Sequence, residues 1–186
     1  MEVLSIIQRY FPLDTSDQQQ LVSLFRPVTM EKNQDIIVSG KTSRYLYFLK
    51  SGSCRIFYHK EEREVILDFA FPGDVLISLN SYVYGKAGYE TIQAMELTQL
   101  YQIDTEALQK LYSSSIGIAN WGRKLAETET LKIESRLMSK LFKTASQSYM
   151  ELLTRAPQIV QTIKLGYIAS YLGISQVTLS RIRGKI

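Results

Sequence analysis

Near the C-terminal end of the chain, Gln176, Val177, Thr178, Ser180 and Arg181 are followed closely by Arg183 and Lys185. These side chains suit the reading of base-pair edges. An arginine presents two parallel donors that match O6 and N7 of guanine, a glutamine pairs with adenine, and a valine covers a thymine methyl. Thr178 and Ser180 are short donors for phosphate or base edges, and Arg183, Lys185 and the upstream Lys164 suit backbone phosphates. The charge distribution points the same way. From Leu152 to Ile186 there is no Asp or Glu, while Arg155, Lys164, Arg181, Arg183 and Lys185 are all basic. The whole chain is only +4, so residues 1 to 151 carry a net −1. Positive charge gathered in one segment is the footprint of a surface that meets a polyanion.

Little else in the inventory can do chemistry. With one histidine, His59, and one cysteine, Cys54, there is no nucleophile and base pair at a recognisable spacing, no soft-ligand set for a metal and no internal disulfide. No glycine-rich loop suited to cradling a nucleotide is present. The chain is therefore read as a non-enzyme without metal or cofactor. At 186 residues, with 45% hydrophobic and 22% charged residues, it is long enough for two domains joined by a connector. No apolar run approaches the roughly 20 residues of a bilayer span, and the N-terminus lacks a basic region and cleavage site, so a cytoplasmic protein without membrane association is expected.

The base-reading residues need a mount, and the sequence around them supplies one. Ile168 and Leu172 point inward from a first helix, and Ala169 is small where two helices cross. Gly173 allows the positive φ of a tight turn, Ile174 fills the corner, and Ser175 offers a hydroxyl as N-cap. Leu179 and Ile182 then face the core from the second helix, leaving the candidate readers on its outer face. Lys164 as a cap and Gly166 inside the first helix are weak choices that lower stability.

Upstream, the texture changes twice. The first 30 residues read as helices, with Leu4, Ile7 and Phe11 at helical spacing, Pro12 as a breaker and a capping box over Thr15 to Gln18. From Lys32 to Asp104 come short β-rich runs: Ile36–Val38, Tyr45–Leu49, Cys54–Tyr58 and Val65–Phe69, the last two forming a hairpin across the charged turn at 60–64. Helix returns after Asp104. Ile118, Trp121, Leu125 and Thr128 form a short heptad-like stripe, which reads either as a seam between two chains or as a helix face lying on its own β-domain. Leu137, Met138, Leu141, Phe142, Ala145, Tyr149, Leu152 and Leu153 make a broad apolar face for a second, helical core, ended by Ala156-Pro157. The boundary falls near Thr128 to Lys132. The expected domains are thus residues 1–115, a coupling helix and hinge at 116–132, and a helical domain at 133–186.

This order of parts resembles the Crp/Fnr family of bacterial transcription regulators. The similarity rests on Tyr47-Phe48-Leu49-Lys50-Ser51-Gly52-Ser53-Cys54-Arg55, on Phe71-Pro72-Gly73-Asp74, and above all on Tyr167 to Ser175 with Leu179-Ser180-Arg181-Ile182-Arg183. It implies an α+β protein: an N-terminal antiparallel β-roll (jelly roll, double-stranded β-helix) of the cyclic-nucleotide-binding type with flanking helices, a long connecting helix, and an all-α helix-turn-helix domain. Because the sequence stops at Ile186, no wing is expected after the recognition helix. The implied partners are double-stranded DNA, a second copy of the chain, read as a homodimer on a palindromic operator, and RNA polymerase.

The resemblance also marks a candidate effector pocket: Ile77, Ser78, Leu79, Tyr82, Tyr84, Gly88, Tyr89, Glu90 and Thr91. Here the sequence departs from the family. Ile77 and Ser78 stand in place of a Gly-Glu pair, and Gly88 falls where the phosphate-binding arginine would align. A buried phosphate without a cationic fork would be poorly compensated, so cyclic AMP is not the expected effector and the pocket is read as degenerate, its effector unknown or absent. Tyr82, Tyr84 and Tyr89 either line a pocket for a flat or cationic ligand or simply pack. The alternative function is a ligand-binding or protein-interaction module whose helical tail docks a protein instead of DNA.

Overall fold

The computed structural model describes residues 2–61, 63–157 and 162–185. Two short helices open the chain, α1 (Val3–Tyr10) and α2 (Thr15–Val22). Eight strands follow: β1 (Arg26–Met30), β2 (Asp35–Ile37), β3 (Tyr45–Ser51), β4 (Cys54–Lys60), β5 (Arg63–Ala70), β6 (Val75–Leu76), β7 (Thr91–Ala94) and β8 (Thr98–Asp104). Helix α3 (Leu79–Tyr84) interrupts them before β7. The remainder is helical: α4 (Thr105–Ser114), α5 (Ile116–Phe142), α6 (Ala145–Arg155), α7 (Leu165–Leu172) and α8 (Gln176–Arg183).

The strands form two four-stranded antiparallel sheets, ordered β1-β8-β3-β6 and β2-β7-β4-β5. This is the α+β jelly roll that the family resemblance implies, and the short runs and turn residues fit it. Strands β4 and β5 pair across the charged turn as expected, from Cys54 opposite Ala70 to Lys60 opposite Arg63; Glu62 of that turn lies outside the described residues. Glycine is required where the hairpin is entered. Gly52 has φ +89°, and a Cβ there would come within 2.9 Å of the Leu97 carbonyl oxygen, so only glycine fits.

Three apolar cores stack through the molecule. Between the sheets lie Ile37, Leu49, Cys54, Leu76, Ile92, Ala94 and Leu100. Burial pushes the Cys54 thiol up to about 12, leaving it protonated and inert. The outer face of the first sheet packs with α1, α2, α4 and α5 through Ile6, Leu21, Phe48, Ile103, Leu108, Ile118 and Trp121. The outer face of the second sheet, with Phe57, Ile66 and Phe69, packs on Tyr149, Leu152, Ile168, Ala169 and Leu179 of the C-terminal helices.

Several sequence expectations change here. The first 30 residues are not all helix, since β1 begins at Arg26, and the cap of α2 is Asp14, whose side chain accepts from Asp17 N at 2.8 Å. Neither β4 nor β5 keeps a simple inside-outside alternation: Cys54, Arg55 and Phe57 are all buried, as are Ile66, Asp68, Phe69 and Ala70. The reason is that helices cover the face that a two-sheet roll alone would leave wet. The stripe of Ile118, Trp121 and Leu125 is buried in the chain's own core, so these side chains are not a seam between two chains; Thr128 is partly buried, its hydroxyl donating to Lys124 O at 2.8 Å. Trp121 donates from Nε1 to Ile7 O at 3.0 Å and meets Tyr10 edge-on at 6.0 Å. Helix α5 also runs unbroken through 128–132 to Phe142, and Leu137, Met138, Leu141 and Phe142 point outward instead of joining the second core. The chain breaks at Lys143-Thr144, where Thr144 and Gln147 form the capping box of α6.

Trp121→Ala should therefore destabilise the protein by about 3–5 kcal/mol, the range for emptying a large buried aromatic site. Urea unfolding followed by circular dichroism measures it; a loss within about 1 kcal/mol would contradict the stated packing.

Candidate nucleic-acid interface

The tail folds as its residues demand. At the end of α7, Gly173 has φ +68°, and its N–H donates to Ser170 O at 3.1 Å while Ile174 N donates to Ala169 O at 3.0 Å. Ser175 then caps α8, its hydroxyl accepting from Thr178 N at 3.1 Å. Leu179 is fully buried against Ile168 and Ala169, which fixes how α8 is turned. With that face inward, Gln176, Val177, Thr178, Ser180, Arg181 and Arg183 are exposed, as is Lys185 just beyond; Val177, at 61% exposure, does not pack. Gln176 lies over the glycine of α7: a Cβ on Gly166 would meet its Nε2 at 3.0 Å. Lys164, at the start of α7, is exposed with its ammonium 5.6 Å from the Tyr167 ring centroid. Three cations and four short polar or apolar side chains thus share one protruding helix and its end, the arrangement needed to enter a major groove.

Sequence reasoning missed how this unit is mounted. Strand β5 is an edge of its sheet, and an open edge must be paired or covered. Helix α7 covers it. The Ser170 hydroxyl accepts from Ile66 N at 3.0 Å and donates to Glu64 O at 3.4 Å, so a side chain completes the missing ladder. Beneath, Arg55 is buried with its guanidinium 4.1 Å from the Phe57 ring and 4.4 Å from the Tyr167 ring. It pairs with both oxygens of Glu64 and donates to Gln93 Oε1 at 2.8 and 3.0 Å. Those hydrogen bonds hold the Glu64 carboxyl below its ordinary range.

A second clamp centres on Asp68, only 6% exposed. It accepts from Arg136 of α5 and, at 3.2 Å, from Arg155 of α6. Arg155 also donates to Phe69 O and lies 3.6 Å from Asp74, while Lys132 reaches Asp74 at 3.1 Å. The Phe71-Pro72-Gly73-Asp74 turn is therefore tied to α5 and α6, and through Arg9 to α1 by a 3.0 Å bond to Gly73 O. An acid within an apolar strand was the available sequence signal; its partners, more than 60 positions away, were not legible.

The effector candidates fall into two groups. Ser78, Glu90 and Thr91 are buried around Gly88, where a Cβ would meet Glu90 Oε1 at 2.7 Å and Oε2 at 2.9 Å as well as the Ser78 hydroxyl. Ile77 packs against the first core, and Tyr82 accepts from Gln109 at 2.9 Å. Leu79, Tyr84 and Tyr89 are exposed, and Tyr89 meets the Tyr58 ring at 6.5 Å. Among the described residues, no group of three or more His, Cys, Asp or Glu could hold a metal, and no helix is long and apolar enough to cross a membrane.

The architecture is a jelly roll carrying a helix-turn-helix. Residues 27–115 match the cyclic nucleotide-binding domain. Regulatory protein HlyX of Actinobacillus pleuropneumoniae is 27% identical over an alignment covering 97% of this chain and 81% of its own. The structure of FixK2 from Bradyrhizobium japonicum is similar with a TM-score of 0.73 at 19% identity, covering 87% of this chain and 83% of that one. A transcriptional regulator assigned to the Crp/Fnr family, from Eubacterium rectale, gives 0.72 at 21% identity, covering 95% and 87%. Over nearly its whole length the chain is thus similar to regulators, one of them assigned to the Crp/Fnr family.

Asp68→Ala should leave two guanidinium groups facing an empty acceptor site. Partial exposure of the arginines limits the cost to about 1–3 kcal/mol, below the value for a fully buried pair. Chemical denaturation measures it, and a neutral result would remove Asp68 from the account of domain docking.

Proposed function

We propose that the protein is a homodimeric, sequence-specific DNA-binding transcription regulator without catalytic activity, working in the cytoplasm. The observation that carries this is the orientation of α8: with Leu179 buried, its only outward face holds Gln176, Val177, Thr178, Ser180 and Arg181, in a segment without a carboxylate. Arg181 and Gln176 are assigned to base edges, Val177 to a thymine methyl, Thr178 and Ser180 to base edges or phosphate, and Arg183, Lys185 and Lys164 to the phosphate backbone. The division of residues 1–115, 116–132 and 133–186 is kept as a functional one, with α5 as the element joining sensor to reader.

For the dimer, the exposed C-terminal part of α5 is the better candidate. Leu131, Ile133, Leu137, Met138, Leu141 and Phe142 are all exposed there, Phe142 at 77%, over three helical turns. A second copy burying the same stripe would satisfy them symmetrically and set the two α8 helices about one DNA turn apart.

Cyclic AMP is not the proposed effector. The place that the family resemblance gives to a phosphate-binding arginine is Gly88, and the Glu90 carboxylate, 8% exposed, lies against it without an ion pair among the described residues. An incoming phosphate would meet negative charge where it needs positive.

Selection of duplex fragments from a random pool at near-physiological salt tests the reading. Enrichment of a palindromic site is expected. Arg181→Ala should weaken that site by about 1–3 kcal/mol and relax one base position, whereas Lys185→Ala should weaken all duplexes alike. Equal losses on random DNA for both variants would contradict the assignment of roles. Leu137→Asp should give a monomer at micromolar concentration in sedimentation analysis with the fold retained; a dimer that persists would move the interface elsewhere.

A further inference from the structure

Two glycines of the helix-turn-helix differ in what requires them. Gly173 has φ +68° and nothing within 4 Å of where a Cβ would stand, so its backbone alone calls for glycine. Gly166 is the second residue of α7, and its φ lies outside the left-handed region, so any residue could adopt that backbone. Glycine is the poorest helix former after proline, and this position is therefore filled against local preference. The surroundings give the reason. Outside its chain neighbours and the backbone of α7, the heavy atoms within 4 Å of a Cβ on Gly166 are Gln176 Nε2 at 3.0 Å and Gln176 Cδ at 3.6 Å. The missing side chain leaves a slot on α7, and the carboxamide of the first residue of α8 lies in it.

The slot holds Gln176 without consuming its hydrogen-bonding capacity. Its carboxamide makes no hydrogen bond among the described residues, whereas the Thr178 hydroxyl is engaged 2.9 Å from Ser175 Oγ. Contact with α7 restricts the glutamine to fewer rotamers, which lowers the ordering cost of binding. Its donor and its acceptor both stay available for N7 and N6 of one adenine.

We propose that Gly166 is a positioning residue for base reading: it seats the Gln176 carboxamide against α7 and so sets the preference for adenine at one position of the site. This rests on the DNA-reading role of α8, and it adds a first-helix residue that touches no base to the determinants of specificity. A Cβ at position 166 would displace Nε2 by a few tenths of an ångström. That is enough to spoil a bidentate contact, yet it costs the fold little, because the far end of a flexible side chain gives way.

The test has two arms. In the free full chain, labelled with nitrogen-15 and carbon-13, the side-chain amide protons of Gln176 should show a nuclear Overhauser contact to the α-protons of Gly166. Selection from a random duplex pool then compares the wild type, Gly166→Ala, Gln176→Ala and the double variant. Gln176→Ala should lower the preference for adenine at one position about tenfold, and Gly166→Ala should lower it at the same position at least about threefold. The preference set by Arg181 should be unchanged in Gly166→Ala, and its melting temperature should not fall. The double variant should match Gln176→Ala. Absence of the nuclear Overhauser contact, a wild-type preference in Gly166→Ala, a loss spread over all duplexes, or a further loss in the double variant would each overturn the proposal. A wild type that enriches no site would overturn the reading of α8 and this proposal with it; a wild type that enriches one, matched by Gly166→Ala, would overturn this proposal alone.

Discussion

The open edge of β5 is the constraint from which the arrangement of this molecule follows. Its neighbour on one side is β4, and on the other there is no strand among the described residues, so its amide groups and its outer face need another partner. Helix α7 supplies both. Ser170 answers the Ile66 amide, and Ile168 and Ala169 join Phe57 and Ile66 in one core. Arg55 and Asp68, which a bare sheet would leave in water, are buried beneath the same helices and paired with Glu64, Gln93, Arg136 and Arg155. The element that presents the candidate reading surface is thus part of the core that closes the β-roll.

Two kinds of feature were legible in the sequence. The helix-turn-helix was readable because its determinants are local: Ala169, Gly173, Ile174, Ser175 and Leu179 act within eleven positions of one another. The β runs were readable for the same reason, since apolar residues between glycine and charged turns mark strands whatever they pair with. Faces were harder. Periodicity showed that Ile118, Trp121 and Leu125 share a stripe, yet it could not tell a neighbouring chain from the chain's own α1, and the contact with Ile7 decides for the latter. The apolar set from Leu137 to Leu153 was divided by a capping box at Thr144 that redirects the chain, leaving its first half outside. Nor could alternation in β4 and β5 reveal that both faces would be covered.

The site reflects the same division. The exposed residues of α8 follow from one buried leucine, and the roles proposed for them from side-chain chemistry. The electrostatic frame behind them joins residues from Arg9 to Arg155, and no short-range pattern announces it. It also gives the family resemblance a particular meaning in this chain. Around Gly88 the roll buries the Glu90 carboxylate, while Arg55, Arg136 and Arg155 gather where the roll meets the C-terminal helices.

The claim that the roll and the reader form one cooperative unit can be tested with a reporter in each. The single tryptophan, Trp121, lies in the core beside α1, and Leu179 lies in the core shared by β5 and α7. Urea unfolding followed by Trp121 fluorescence and by the methyl resonance of Leu179 should give coincident transitions. A Leu179 transition completed at lower urea, with Trp121 still native, would show the reader melting off an intact roll and would contradict the account.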